Sequence, residues 1–139
     1  MFERILPWRR RKPAPLKSFR KELARYQGYS LKAPRYKAVP IDHIVGSVNR
    51  WRDFDEAFRP RAGHQMSDTP LRVDRLKRLV REGKEFPSMN LYELDGGFYV
   101  EDGHHRVVVS KVLGREFVDA YVREVVVRPT IDMPLKTAA

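Results

Sequence analysis

The chain has 139 residues, 42% of them hydrophobic and 11% aromatic, enough for one modest core and too few for two ordinary domains. It contains no cysteine, which excludes disulfides, thiolate catalysis and cysteine-ligated zinc and suits a reducing cytosol. The net charge of +10 is concentrated at one end: residues 1–38 hold 12 Lys and Arg against Glu3 and Glu22, whereas residues 39–139 hold 16 of each sign. A neutral domain behind a basic arm predicts a polyanion for the arm to meet, either nucleic acid or an acidic membrane or protein surface.

The opening Met-Phe-Glu-Arg-Ile-Leu-Pro-Trp places its apolar residues before its arginines, the reverse of a secretory signal. No stretch approaches the ~20 apolar residues of a membrane helix. The expectation is a cytoplasmic protein without a transmembrane segment. Arg9, Arg10, Arg11 and Lys12 lead into Pro13 and Pro15, which predicts an extended segment. Leu16 to Tyr26 reads as a short helix with Phe19 and Leu23 on one face. Lys17, Arg20, Lys21 and Arg25 continue the basic stripe, and Trp8, Phe19 and Tyr26 interleave with it. Cations with interleaved rings suit a nucleic-acid backbone and its bases; the plainer alternative is a solvated or back-packed tail.

Gln27 to Ala38, with Gly28, Ser30 and Pro34, reads as a linker, so the arm and linker are assigned to 1–38, the domain to 39–128 and a loose tail to 129–139. A strand begins at Val39, and Gly46-Ser47 reads as a loop or bend. Trp51 to Met66 reads as a surface turn with Phe54 and Phe58 tucked inward; Asp53, Asp55 and Glu56 are its alternative magnesium or base candidates. Thr69-Pro70 starts a helix in which Val73, Leu76, Leu79 and Val80 face the core, with a basic outer face and a stop at Gly83. Asp95-Gly96 predicts a hairpin between Met89–Leu94 and Gly97–Glu101. Phe117 to Val127 reads as a final strand. The sum is α+β: a small mixed sheet with packed helices.

The segment Glu101-Asp102-Gly103-His104-His105-Arg106 joins that hairpin to an apolar run, Val107 to Leu113, closed by Gly114. A glycine turn entering a helix leaves backbone N–H groups unpaired at the positive end of the helix dipole, which suits a phosphate. Arg106 supplies a permanently charged fork of donors; its alternative is a salt bridge to Glu101 or Asp102. His105 reads as a phosphate donor or a packed imidazole, and His104 as a proton or phosphoryl acceptor or an exposed turn residue. Asp102 caps the turn or holds Mg2+, with Glu101 behind it. Metal binding by His43, His64, His104 and His105 lacks any recognised ligand spacing, so the metal assignment stays open.

With Val39-Pro40-Ile41-Asp42-His43-Ile44 as an opening strand and Leu71 to Val80 as a first helix, this turn resembles the ParB N-terminal and sulfiredoxin-like domains over about residues 39–127. The resemblance implies a nucleotide di- or triphosphate with Mg2+ held at Gly103, His104, His105 and Arg106, with Ser47 and Arg50 behind them. Sulfiredoxins carry their catalytic cysteine where this chain has His104, which excludes sulfinic acid reduction here. ParB proteins add a helix-turn-helix domain, for which the about thirty residues past the turn leave no room. The function expected is a nucleotide- or phosphate-binding module associated with DNA through its arm. The alternative is a small-molecule kinase resembling the free serine kinases, with His104, Asp102 or Glu101 in catalysis. The sequence assigns neither the nucleotide base nor the oligomeric state.

Overall fold

The computed structural model describes residues 14–61, 69–83 and 89–129. Arg9, Arg10, Arg11, Lys12, His64 and the tail beyond Pro129 lie outside them. Among the described residues, seven strands and three α-helices follow in the order β1 (Lys17–Ser18), α1 (Phe19–Leu23), β2 (Tyr26–Leu31), β3 (Arg35–Pro40), β4 (Ile44–Ser47), α2 (Thr69–Arg81), β5 (Met89–Leu94), β6 (Gly97–Asp102), α3 (His104–Val112) and β7 (Phe117–Pro129), and a 3-10 turn, Ile41–His43, divides the expected opening strand between β3 and β4. The sheet order is β1-β4-β6-β5-β7-β2, with β3 also paired to β7. Pairings β1·β4, β4·β6 and β5·β7 are parallel, and β5·β6, β2·β7 and β3·β7 antiparallel. The predicted α+β class with a mixed sheet is what the chain forms.

The hairpin follows from its turn chemistry. Asp95 and Gly96 both adopt positive φ, 51° and 82°, the backbone that matches a two-residue connection to the twist of its strands. Leu91, Phe98 and Val100 then alternate into the main core, where they meet Val39, Ile41, Ile44, Phe54, Phe58, Val107, Val118 and Val122. Tyr99 and Leu94 point through the opposite face of the sheet. There α1 covers them, and Phe19, Val125 and the flanking Leu23 and Tyr26 close a second cluster. β6 is therefore buried on both faces.

Gln27 to Ala38 is strand and not linker. β2 and β3 run in one direction along β7, with Leu31 opposite Val125 and Arg35 opposite Val122, and the Lys32 amide donates to the Glu124 carbonyl between them. Pro34, which has no N–H to give, sits in the interruption. The glycine and serine signals are outweighed by Tyr26, Tyr29, Leu31, Tyr36 and Val39, β-favouring residues for which β7 provides a ladder. The predicted helix over Leu16 to Tyr26 shortens to α1, because Lys17 and Ser18 pair with Gly46 and Ser47. Gly46-Ser47 likewise belongs to a strand. A side chain at Gly46 would lie 2.4 Å from the Lys17 carbonyl and 2.5 Å from the Tyr99 ring, so the glycine serves close approach rather than a bend.

The arm is thus anchored where it meets the sheet: Leu16 is 2% and Phe19 6% exposed, each in a different cluster. Phe19 stacks on Tyr92 at 5.1 Å between ring centroids. We expect Phe19→Ala to destabilise the fold by about 3 kcal/mol, the usual cost of emptying an aromatic site, measured by urea denaturation. An unchanged midpoint would mean that α1 is only laid on the sheet.

Candidate functional site

The turn between β6 and α3 is fixed by its glycine. Gly103 has φ 114°, and a Cβ there would fall 2.5 Å from the Met89 Cβ, so neither the backbone angle nor the space admits another residue. Its carbonyl accepts the amides of Arg106 and Val107, which starts α3. No side chain caps the helix at this position. The α3 N-terminus therefore opens into a cavity of about 440 Å³, lined by Asn49 and Arg50 after β4, by Arg75, Leu76 and Leu79 of α2, and by residues Glu101 to Arg106. That volume lies within the range typical of small-molecule sites.

Three of the predicted residues form one hydrogen-bonded unit. The Ser47 hydroxyl, fully buried, lies 2.7 Å from His104 Nε2 and accepts the Arg50 amide at 2.9 Å. The Arg50 Nε donates to Asp53 Oδ2 at 2.9 Å. Phe54 backs this unit: the His104 ring lies parallel to it at 5.7 Å, His105 meets it edge-on at 6.4 Å, and the Arg50 guanidinium sits 5.3 Å from its centroid. His104 is 5% exposed and His105 8%, so the exposed-turn alternative for His104 is overturned. Burial, with Arg50 and then His105 adding to it and Asp53 opposing, lowers the His104 pKa to about 4. At neutral pH this imidazole is uncharged.

Arg106 is partly buried, and its Nη1 is 3.8 Å from Asp102 Oδ2, whose side chain is 68% exposed. That is the alternative ion pair, long and on an exposed carboxylate, where such a pair contributes little. Glu101 accepts a hydrogen bond from the Tyr92 phenol, which raises the Tyr92 pKa. Of the acidic turn candidates, Asp55 holds its own loop together through the amides of Ala57 and Arg59 and the Arg59 Nε. Phe54 and Phe58 are buried beside it as expected. Among the described residues no three His, Asp or Glu side chains group as metal ligands, and no helix is long and apolar enough to cross a membrane.

Lys17, Arg20, Lys21 and Arg25 sit apart from the cavity on β1, α1 and the residues that follow. Lys21 Nζ lies 4.3 Å over the Trp51 ring and Arg25 pairs with Glu22 at 3.4 Å. Arg75, expected from the sequence on an outer basic face, lines the cavity instead. Its spacing from Leu79, i to i+4, puts both on one side of α2 and was the available signal.

Comparison with solved structures finds similarity to the sulfiredoxin of Arabidopsis thaliana, at 21% identity over 66% of this chain and 86% of that one, with a TM-score of 0.47. A Pnob8-like ParB-N domain is similar at 16% identity over 68% of this chain and 31% of the other, less than a third of its length, with a TM-score of 0.43. No family model matches the sequence, and no curated protein does.

Because His104 binds protons more weakly folded than unfolded, its contribution to stability is complete above about pH 6.5 and is lost as pH falls toward about 4. The loss is of order 3 kcal/mol across that window. His104→Gln should remove this component from a plot of unfolding free energy against pH; an identical slope in the variant would show that the imidazole titrates normally. Ser47→Ala, which leaves a buried imidazole nitrogen without its partner, should cost about 1–3 kcal/mol in the same assay at pH 7.

Proposed function

We propose that this chain is a phosphate-binding module that takes a nucleotide di- or triphosphate at the α3 N-terminus and associates with DNA through its basic arm. The observation that carries the reading is the convergence of Arg50, Arg75 and Arg106, from three separate elements, on one cavity at an uncapped helix start. Guanidinium forks and unpaired backbone amides are both suited to phosphate oxygens. The neutral His104 holds Arg50 in place through Ser47 without adding charge of its own. Mg2+ bound to the phosphates would find carboxylates at Asp102 and Glu101, the oxygen donors that this ion prefers. The resemblance of the Asp102-Gly103-His104-His105-Arg106 turn to ParB and sulfiredoxin-like domains points the same way.

Binding is favoured over phosphoryl transfer. A transferase needs a base for its acceptor hydroxyl; Glu101 is engaged by Tyr92, Asp102 is exposed beside Arg106, and His104, with its pKa near 4, is a weak base at neutral pH.

Calorimetric titration with ATP, ADP and CTP in Mg2+ tests the pocket. Arg106→Ala should weaken nucleotide binding about tenfold to a hundredfold, the worth of a hydrogen bond to a charged group. Equal affinity in variant and parent would refute the site. For the arm, a deletion must stop before Leu16, since that residue is in the core. Removing residues 1–13 should lower duplex DNA affinity and flatten its dependence on salt, the log–log slope falling by about 0.9 for each phosphate no longer neutralised, while nucleotide binding persists. Duplex affinity that survives the deletion would refute the arm's role.

A further inference from the structure

Tyr99 is only 3% exposed, on the side of β6 that α1 covers. Its ring is held in place: Phe19 meets it at a tilt of 60°, ring centroids 5.4 Å apart, and Gly46 on the neighbouring strand leaves it room. Phenylalanine would fill the same space, and a phenol buried without a hydrogen bond costs stability. The Tyr99 hydroxyl nonetheless has no hydrogen-bond partner among the described residues. It borders a cavity of about 250 Å³ between α1 and the Asp95–Gly96 turn, which shares no lining residue with the cavity at α3.

Burial, then the fields of Glu22 and Tyr26, with Arg25 opposing, push the Tyr99 pKa up to about 12. The phenol is therefore a protonated donor at neutral pH, and the neighbours that act on it are themselves residues of the cavity wall. The carboxylates of that wall are engaged: Glu22 pairs with Arg25 at 3.4 Å, and Asp95 has a partner of its own. Lys17 and Tyr26 also line the cavity, and neither side chain makes an ion pair or hydrogen bond among the described residues. Three donors, the Lys17 ammonium and the Tyr26 and Tyr99 phenols, thus face a cavity whose acidic groups are already matched.

From this excess of donors we infer that the cavity beside Tyr99 is a binding site for a small organic monocarboxylate. Two phenolic O–H groups and an ammonium match the lone pairs of two carboxylate oxygens. One uncommitted cation balances one negative charge, whereas a phosphate dianion would carry a second charge into the site without a partner. Val45 and Leu94 offer an apolar wall to the remainder of the molecule. The volume lies below that of drug-sized sites and limits the occupant to a compact acid. The site is independent of the nucleotide reading.

The test is an NMR titration of the isotopically labelled full chain at pH 7 with benzoate, acetate and inorganic phosphate, followed at the Gly96 and Gly97 amides of the cavity wall. Benzoate and acetate should give saturable shifts there. Tyr99→Phe, which keeps the ring and its packing, should weaken benzoate binding about tenfold or more, the worth of a hydrogen bond to a charged group, with a melting temperature no lower than the parent's. Lys17→Met should also weaken it and remove most of its dependence on salt. Arg106→Ala, in the other cavity, should bind benzoate as the parent does. Absence of saturable shifts with either carboxylate, equal benzoate affinity in Tyr99→Phe and parent, or tighter binding of phosphate than of benzoate would overturn the site. Unchanged affinity in Lys17→Met, an exposed position whose substitution spares the core, would do so independently of any effect on folding.

Discussion

One buried hydroxyl sets the geometry on which the candidate site depends. Ser47, at the end of β4, is hydrogen-bonded both to the first residue of α3 and to the loop that carries Arg50. Three chain segments are thereby held in one register, in a place where water cannot substitute for a missing partner. A serine and a neutral imidazole satisfy each other at low cost in such surroundings, whereas a charged histidine would not. The stacking of His104 and Arg50 around Phe54 converts that bond into fixed positions for larger groups.

Electrostatics around this centre are divided between the buried and the exposed. The Ser47–His104 centre is polar and uncharged, and formal charges lie toward the mouth, where Arg50, Arg75 and Arg106 meet Glu101 and Asp102. With Asp53 paired to Arg50, three cations meet three carboxylates and the formal charges balance.

Much of the frame was legible in the chain. The Asp95-Gly96 hairpin, the helix closed at Gly83, the last strand and the Gly103 turn each have a local cause, either a positive φ or a strict apolar period, and local causes are what a sequence displays. The linker reading of Gln27 to Ala38 failed for the opposite reason. What makes that stretch strand is β7, whose residues lie at the far end of the sequence, and neither glycine nor proline content reports on a partner so remote. Gly46 misled similarly, since the Tyr99 ring that requires it arrives from another strand. At the site, Ser47 and Arg50 could be placed near the turn, but their link to His104 could not. The inward turn of Phe54 was legible, but its stacking on His104 depends on tertiary packing.

The placement of β7 also governs how the molecule must assemble. It is the central ladder for β5 on one edge and for β2 and β3 on the other, so that Tyr26 is bonded across from Pro129. β2 and β3 therefore wait for the last strand, while β1 needs only β4. Until β7 is present, β2 and β3 have no sheet to join, and closing the largest loop in the molecule is an entropic cost met at the end of folding. On a ribosome, β2 and β3 would emerge long before they have anywhere to dock, whereas β1 meets its partner β4 about thirty residues later.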